Sequence, residues 1–219
     1  MRYIRNNIVS VEKLIEDIRY AQNELLKMSR INCHAQDVYS VVTDISPRGP
    51  KCLVRIFIAD KNHTLWRNYP GSPAYSVGPH DHKYGILIDN VSSNVINYNY
   101  IENEVGENTT KFSVVSGIDK NKAAVFKPLY NTKLLCVQTN RDYFYLDENQ
   151  IHTMYVPFRQ VGFWRVTEFY KPKETTNLYS NCINIDKNGH LKNQTEMYQS
   201  PEDLEEFRTK MINLLAEKK

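Results

Sequence analysis

Two histidines separated by one residue mark the part of the sequence with the strongest chemical character. His80 and His82 flank Asp81, just before the apolar run from Tyr84 to Ile88. Residues two apart in an extended strand point to the same face, so both imidazoles would project to one side of a sheet. His152 opens a later β-type run after an acidic turn and could supply a third imidazole. Neutral imidazole binds Fe, Zn, Ni and Cu, so the three histidines predict a metal site with open positions for substrate or water.

No carboxylate is well placed to join these histidines. Asp81 alternates away from both of its neighbours along a strand. Asp89 follows His82 by seven residues (89 − 82), an odd offset that puts it on the opposite face of a regular strand. The predicted ligand set is therefore three neutral histidines. The other histidines are expected on the surface, namely His34, His63 and His190.

An arginine and several downstream motifs extend this pattern along the chain. Arg55 lies in a β-type run 25 residues before His80 (80 − 55). After His152 come three short motifs in a fixed order, Glu168-Phe169-Tyr170-Lys171-Pro172, Ile185-Asp186 and Asn188-Gly189-His190. With these residues the sequence resembles the thiol dioxygenases of the cupin superfamily, the family of cysteine dioxygenase. The resemblance covers about residues 55–197.

The resemblance implies that the protein is an enzyme, and it implies which residues bind the metal and the substrate. His80, His82 and His152 would hold Fe(II), with Zn, Mn or Ni as other metals that the site could take. Arg55 would pair with a substrate carboxylate, and Tyr170 would point its hydroxyl at the bound thiolate and oxygen. The implied function is a non-haem iron dioxygenase that oxidises a small carboxylate-bearing thiol to a sulfinate with O2.

The sequence also departs from the family's pattern at two positions. Members that form a thioether cross-link have a cysteine five residues after the second metal histidine, and Leu87 occupies that position here. Many members place a histidine two residues before the active tyrosine, and this chain has Glu168 there. An ionised Glu168 could accept a hydrogen bond from the Tyr170 hydroxyl and orient it as imidazole would.

Two other classes of function remain open on the sequence alone. The first is a cupin metalloprotein that carries out a different reaction, an isomerisation or a hydrolysis, with Zn or Mn in place of Fe. The second is a non-catalytic cupin that binds a small ligand or serves in assembly. The metal bound by the purified protein would distinguish the first from an iron dioxygenase, and O2 consumption with thiols would distinguish the second.

Helical patterns occur only near the two ends of the chain. Apolar residues at helical spacing behind Ser10 predict a helix over about 10–30. Ser200 and Pro201, followed by two acids and an apolar stripe, predict a second helix over about 201–217. Short β-branched and aromatic runs fill residues 37–199, which is typical of a sandwich or barrel. We expect one mainly β domain over 1–219, a cupin-type jelly-roll barrel (double-stranded β-helix) flanked by the two helices.

Turn signals separate the expected strands. They include Gly106-Glu107-Asn108 and Lys187-Asn188-Gly189. Residues 99–122 form an extra region, relative to the resembled family, whose counterpart the sequence does not provide.

Composition narrows the range of partners and compartments. The chain of 219 residues has 28 Lys and Arg against 25 Asp and Glu, and the net charge of +3 is too small to favour nucleic acid or an anionic membrane. The N-terminal segment carries acids where a signal peptide would be apolar, and no run is long enough to span a membrane, so a cytoplasmic protein is expected. The four cysteines are scattered and read as reduced thiols. The oligomeric state remains open.

Overall fold

A computed structural model of the chain describes residues 9–46, 52–65, 78–115, 124–140, 142–169, 175–180, 183, 185–190 and 198–217. Two helices, α1 and α2, come first, nine strands follow, and one helix, α3, closes the described chain. The elements are α1 Val11–Tyr20, α2 Asn23–Leu26, β1 Val38–Ser46, β2 Cys52–Ala59, β3 Gly85–Asn90, β4 Ile96–Val115, β5 Val125–Asn140, β6 Tyr143–Leu146, β7 Ile151–Tyr155, β8 Gly162–Phe169, β9 Thr176–Ser180 and α3 Leu204–Ala216. The prediction of a mainly β protein with helices near both ends is confirmed.

The N-terminal helical segment is divided in two. Ser10 caps α1, as predicted, by accepting a hydrogen bond from the backbone N–H of Lys13 at 3.2 Å. The prediction of one helix over 10–30 is wrong, because Ala21 and Gln22 have extended ψ angles of 132° and 144° that break the helical hydrogen-bond pattern. A shorter helix, α2, follows the break.

The C-terminal helix begins three residues later than predicted. Asp203, not Ser200, is its N-cap, and its carboxylate accepts the backbone N–H groups of Glu205 and Glu206, both at 2.9 Å. Free backbone donors at a helix start are satisfied in this way. Buried residues of α1 and α3 form one apolar cluster with the β-sheet below them, including Leu14, Ile18, Phe207, Met211, Leu215, Ile56 and Ile58. Each such side chain contributes roughly 1.5–3 kcal/mol on burial, so this cluster fixes both helices to the sheet.

The strands form two antiparallel sheets. The first has the order β1-β2-β8-β3-β6, and the second has the order β5-β4-β7, with β9 also paired to β4. Over the residues described, no sheet closes into a barrel. The architecture shown is therefore a pair of open antiparallel sheets with helices against the outer face of the first.

Alternation along β2 sends successive side chains to opposite faces of the five-stranded sheet. Ile56 and Ile58 belong to the apolar cluster with the helices. Phe57 and Ala59 belong to a second cluster that includes Met154 of β7, so they face the other sheet. Arg55 shares the face of Phe57 because the two are two residues apart. It therefore points into the space between the sheets.

Residues 99–115 of the extra region belong to β4, which pairs antiparallel with β5, and residues 116–122 lie outside the described residues. The predicted turn at Gly106-Glu107-Asn108 is wrong, because these residues continue β4 through a bulge between Glu102 and Glu107. A Cβ at Gly106 would meet the carbonyl group of Leu134 on β5, so the close approach of the two backbones at this bulge requires glycine. The predicted turn at 187–189 is confirmed, with Gly189 at a φ of 81°.

Two further expectations concern membrane segments and thiols. Within the part of the chain that is described, no helix combines the length and apolar character needed to cross a membrane. Cys33 and Cys136 are free thiols, as expected.

Candidate metal centre

The segment that contains His80 and His82 pairs with two strands of the second sheet. His80 and His152 exchange backbone hydrogen bonds of 2.9 Å in both directions, and Tyr179 of β9 donates its N–H to the carbonyl of Pro79 at 2.8 Å. Both histidines lie before β3, which starts at Gly85, so a regular strand does not hold them. Backbone pairing to β7 and β9 takes its place and fixes the segment beside His152.

Three imidazoles come together where these backbones meet. The metal-binding nitrogens of His80, His82 and His152 all lie within 4.8 Å of one another. Nε2 of His82 is 2.5 Å from Nε2 of His152, and the ring centroids of the three pairs are 4.7–5.0 Å apart. The predicted convergence of the three histidines is confirmed, and together they could hold one metal ion.

Hydrogen bonds at the Nδ1 nitrogen orient two of the three imidazoles. Nδ1 of His80 lies 3.1 Å from the carbonyl oxygen of Gly78, and Nδ1 of His152 lies 2.5 Å from Oδ1 of Asn97. Both partners are acceptors, so Nδ1 donates and Nε2 keeps its lone pair. Asn97 is itself fixed, because its side-chain amide donates to Oδ1 of Asn99 at 2.7 Å. Metal-binding histidines are held in the same way in proteins of known function.

Burial disfavours the protonated form of two of these imidazoles, those of His80 and His152. Removal from water lowers the pKa of His80 and lowers the pKa of His152 well below its usual value, and the neighbouring His80 lowers the latter further. A metal ion requires the neutral ring, so the direction of both pKa shifts and the orientation of the donors fit a metal ion.

The two aspartates that the sequence excluded from the ligand set are engaged elsewhere. Asp81 accepts the backbone N–H and the side-chain amide of Asn177 at 2.7 and 2.6 Å, which joins the histidine segment to β9. Asp89 forms an ion pair with Arg165 at 3.4 Å. The ligand group found among the described residues therefore contains histidines alone.

Arg55 and Glu168, two of the predicted site residues, bind each other. Nε of Arg55 donates to Oε1 of Glu168 at 2.9 Å, and Nη1 donates to the hydroxyl of Ser40 at 3.2 Å. The pair is largely shielded, with side chains 20% and 17% exposed, and burial raises the pKa of Glu168 despite the neighbouring guanidinium. Glu168 was predicted to hold the hydroxyl of Tyr170. It accepts from Arg55, and Tyr170 lies outside the described residues, so the contact between Glu168 and the Tyr170 hydroxyl stays a prediction.

A fourth imidazole belongs to this region, although the sequence placed it on the surface. His34 is partly buried, and its ring stacks on His80 with centroids 5.2 Å apart and an interplanar angle of 17°. Burial, with the nearby His80 and Arg55, lowers the pKa of His34 to about 3. The expectation for His63 is also wrong, because it is buried, with Nε2 3.3 Å from the carbonyl of Pro157. His190 is partly buried in the turn after Asp186.

A buried thiol lies close to the Arg55–Glu168 pair. Both side chains act electrostatically on Cys33, and burial raises its pKa to about 12. The thiol is therefore protonated near neutral pH, which makes it a poor metal ligand.

Sequence reasoning missed two residues that contact the ligands, Asn97 and His34. Asn97 and Asn99 alternate with apolar residues at the start of β4, and two asparagines on the buried face of a strand are a signal that was available. Nothing comparable distinguishes His34, because its position depends on a loop conformation and on the remote Tyr198. The contact with His80 is visible only in three dimensions.

Comparison with known proteins identifies neither a family nor a function for this chain. No protein-family model matches the chain, and no curated protein matches it. Among solved structures, a crystal structure of protein SO0799 from Shewanella oneidensis aligns over 76% of this chain and 83% of that chain, with 8% sequence identity and a TM-score of 0.29.

Proposed function

We propose that this protein is a metal-dependent cupin-type oxygenase that acts on a small thiol, with its open sheets forming the two halves of a jelly-roll. The observation that carries the proposal is the convergence of His80, His82 and His152, with Nδ1 of His80 and of His152 tied to acceptors and Nε2 of His82 beside Nε2 of His152. Surface histidines have no physical reason to be held in this way. Fe(II) is the metal that suits the reaction.

The absence of a carboxylate among the ligands has an electrostatic consequence. A bound Fe(II) ion would supply the redox chemistry with O2 and a positive charge. Three neutral histidines leave that charge undiminished, whereas a carboxylate ligand would cancel part of it. The chain thus favours binding of an anionic sulfur, which is the thiolate form of a thiol.

Among the described residues, Arg55 is a candidate to orient the rest of the substrate, because it acts electrostatically on His34, whose ring stacks on His80. It lies on the same face of β2 as Phe57, whose ring centroid is 6.1 Å from that of His34. Its guanidinium has five N–H donors, and the described residues accept from two of them. A substrate carboxylate can bind to donors that remain, while Glu168 limits how much negative charge the pocket accepts. By resemblance, the Tyr170 hydroxyl would lie beside the reacting atoms, and Tyr170→Phe should then lower kcat without loss of metal.

Metal content and O2 consumption together test the proposal. The purified protein should bind about one transition metal ion per chain, and His80→Ala, His82→Ala and His152→Ala should each abolish this binding because a third of the donors is lost. His190→Ala is the matched control, since it removes a partly buried imidazole outside the group. An oxygen electrode should then show O2 uptake with a mercaptocarboxylate and formation of its sulfinate. Full metal content in all three ligand variants would contradict the site.

One observation favours a second candidate, a cupin metalloprotein with another activity. Arg55 is already paired with Glu168, so this guanidinium is less available as a cation for recognition of a carboxylate. An isomerase, a hydrolase or a binding protein with Zn or Mn fits a neutral pocket equally well. Stoichiometric metal without O2 uptake, over a panel of thiols, would support this candidate over the dioxygenase.

A further inference from the structure

We propose that His34 is a positioning residue of the metal centre, whose ring holds the imidazole of His80 in the orientation that presents Nε2 to a metal ion. The proposal rests on the metal site described above, but not on any reaction carried out there. His34 itself is not part of the converging ligand group.

The angle between the rings of His34 and His80 differs from the angles between the rings of the three ligands. His34 and His80 are nearly parallel, at 17°, whereas the three pairs of ligand rings are tilted by 42–58°. Tilted rings bring nitrogens together, as a shared metal ion requires. A parallel ring covers the face of its neighbour, so His34 restricts rotation of His80.

His80 is thereby held at two places on its ring. The carbonyl of Gly78 accepts from Nδ1 at one edge of the imidazole. His34 covers one face. An edge contact alone leaves the ring free to rock about that hydrogen bond, and the stacked ring opposes this motion. Second contacts of this kind determine how well a ligand geometry is preorganised.

The loop that presents His34 contains three residues with an unfavourable backbone conformation. Asn32, His34 and Asp37 have φ angles of 53°, 68° and 55°, in the left-handed region that residues other than glycine rarely adopt. Asp37 donates its N–H to Oδ1 of Asn32 at 2.9 Å, and Cys33 donates its N–H to the carbonyl of Val38 at 2.7 Å. Three unfavourable conformations within six residues persist only because the surroundings enforce them.

A remote segment clamps His34 from another side. The ring of Tyr198 meets His34 edge-on, with centroids 5.7 Å apart and an interplanar angle of 85°, and its hydroxyl lies 3.3 Å from Nδ1. Tyr198 also has a left-handed φ of 57°, and its N–H donates to the carbonyl of Asn32 at 3.3 Å. Two segments separated by more than 160 residues (198 − 34) therefore meet at the ring that covers His80.

The decisive comparison is between removing the His34 ring and replacing it with one that cannot bind metal. Affinity for Co(II) would be measured by competition with a chelator, with no thiol or O2 present. His34→Ala should weaken binding by about 10–100-fold, the usual effect of losing a contact to a metal ligand. His34→Phe retains a flat ring at the same φ and should bind within about threefold of the unaltered protein. His190→Ala should have no effect.

The visible spectrum of bound Co(II) separates positioning from other roles. His34→Ala should shift the spectrum because His80 is misoriented, and His34→Phe should restore it. If His34→Phe loses as much affinity as His34→Ala, His34 acts through its nitrogen and the proposal fails. Unchanged affinity in His34→Ala would also overturn it.

A third variant covers the case in which His34→Ala does not fold. Tyr198→Phe keeps the ring and removes only the hydroxyl, and a loss of affinity smaller than that of the ligand variants would support the clamp. No loss in Tyr198→Phe, combined with a folded His34→Phe that binds no metal, would contradict it. Absence of thiol oxidation in a protein that binds Co(II) would count against the dioxygenase function and leave this proposal intact.

Discussion

The Arg55–Glu168 pair offers a sharp test of how charge is arranged between the two sheets. Each side chain is about one-fifth exposed, so each depends on the other for compensation of a mostly buried charge. Removing one partner of a buried pair typically costs about 3–5 kcal/mol, whereas replacing both by apolar groups is often close to neutral. Because this pair is not fully buried, we expect the lower end of that range.

A double-mutant cycle measures how far Arg55 and Glu168 compensate each other's buried charge. Arg55→Met should reduce the free energy of unfolding by about 3 kcal/mol, and Glu168→Leu by a similar amount, since each leaves one charge without its partner. Arg55→Met combined with Glu168→Leu should lie within about 1 kcal/mol of the unaltered protein, because no buried charge remains. Urea unfolding at neutral pH, with fluorescence and circular dichroism followed together, measures all four proteins.

Additive losses in the double variant would refute the reasoning, because they would mean that the side chains do not compensate each other. Glu168→Gln is the matched control. Its amide oxygen can still accept from Nε of Arg55, so stability should change less than in Glu168→Leu.

The same variants report on substrate recognition in the metal-loaded protein. If the guanidinium binds a substrate carboxylate, Arg55→Met should raise KM for a mercaptocarboxylate by a factor of about 30 to several thousand, corresponding to roughly 2–5 kcal/mol. Glu168→Gln should lower KM, because it releases the guanidinium from a competing negative charge. Metal content should stay constant in both. An unchanged KM in Arg55→Met would exclude Arg55 from the pocket.

Three further predictions follow from single contacts. Asn97→Leu removes the acceptor for Nδ1 of His152 and should weaken metal binding by about 10–100-fold in a competition titration, while equal affinity would show that the tether is dispensable. Metal-free protein should lose stability as pH falls below 6.5, because unfolded His34 takes up a proton there and folded His34 does so only near its pKa of about 3. Urea unfolding at pH 6.5 and 4.5 should differ by about 2 kcal/mol from this group alone, and His34→Phe should flatten the dependence. Gly162→Ala would place Cβ 2.7 Å from both methyl carbons of Val156 and should destabilise the protein by about 1–3 kcal/mol, measured as a lower Tm.

Local patterns in the sequence predicted most of the elements, because strands and helices differ in the period of their apolar residues. The errors fall where tertiary contacts override the local signal. The turn residues around Gly106 indicate a chain reversal, yet pairing with β5 extends β4 through them as a bulge. The apolar spacing after Ser10 continues past Ala21, yet an extended ψ there ends α1. The break at Ala21 has no residue pattern of its own, and Gly106, which the bulge requires, is also a common turn residue.

The candidate site also contains residues that the sequence predicted and residues that it did not. His80, His82 and His152 were predictable because imidazole is a rare side chain whose chemistry is specific, and because two of them share a strand-like spacing. The substrate-binding role of Arg55 stays a prediction. Its pairing with Glu168 was not predicted, because this diagonal contact depends on the register between β2 and β8. His34 could not be found from the sequence at all.

The backbone bridges of His80 to β7 and β9 have a consequence for the kinetics of folding. They join residues 72 and 98 positions apart (152 − 80 and 178 − 80), so the ligand group is complete only after distant segments have paired. Contacts of such high sequence separation close late and slow the search for the native topology. A metal ion would therefore find its three donors only in a nearly native chain. Adding metal should leave the refolding rate almost unchanged and slow unfolding. The bound ion would therefore increase the kinetic stability of the native structure.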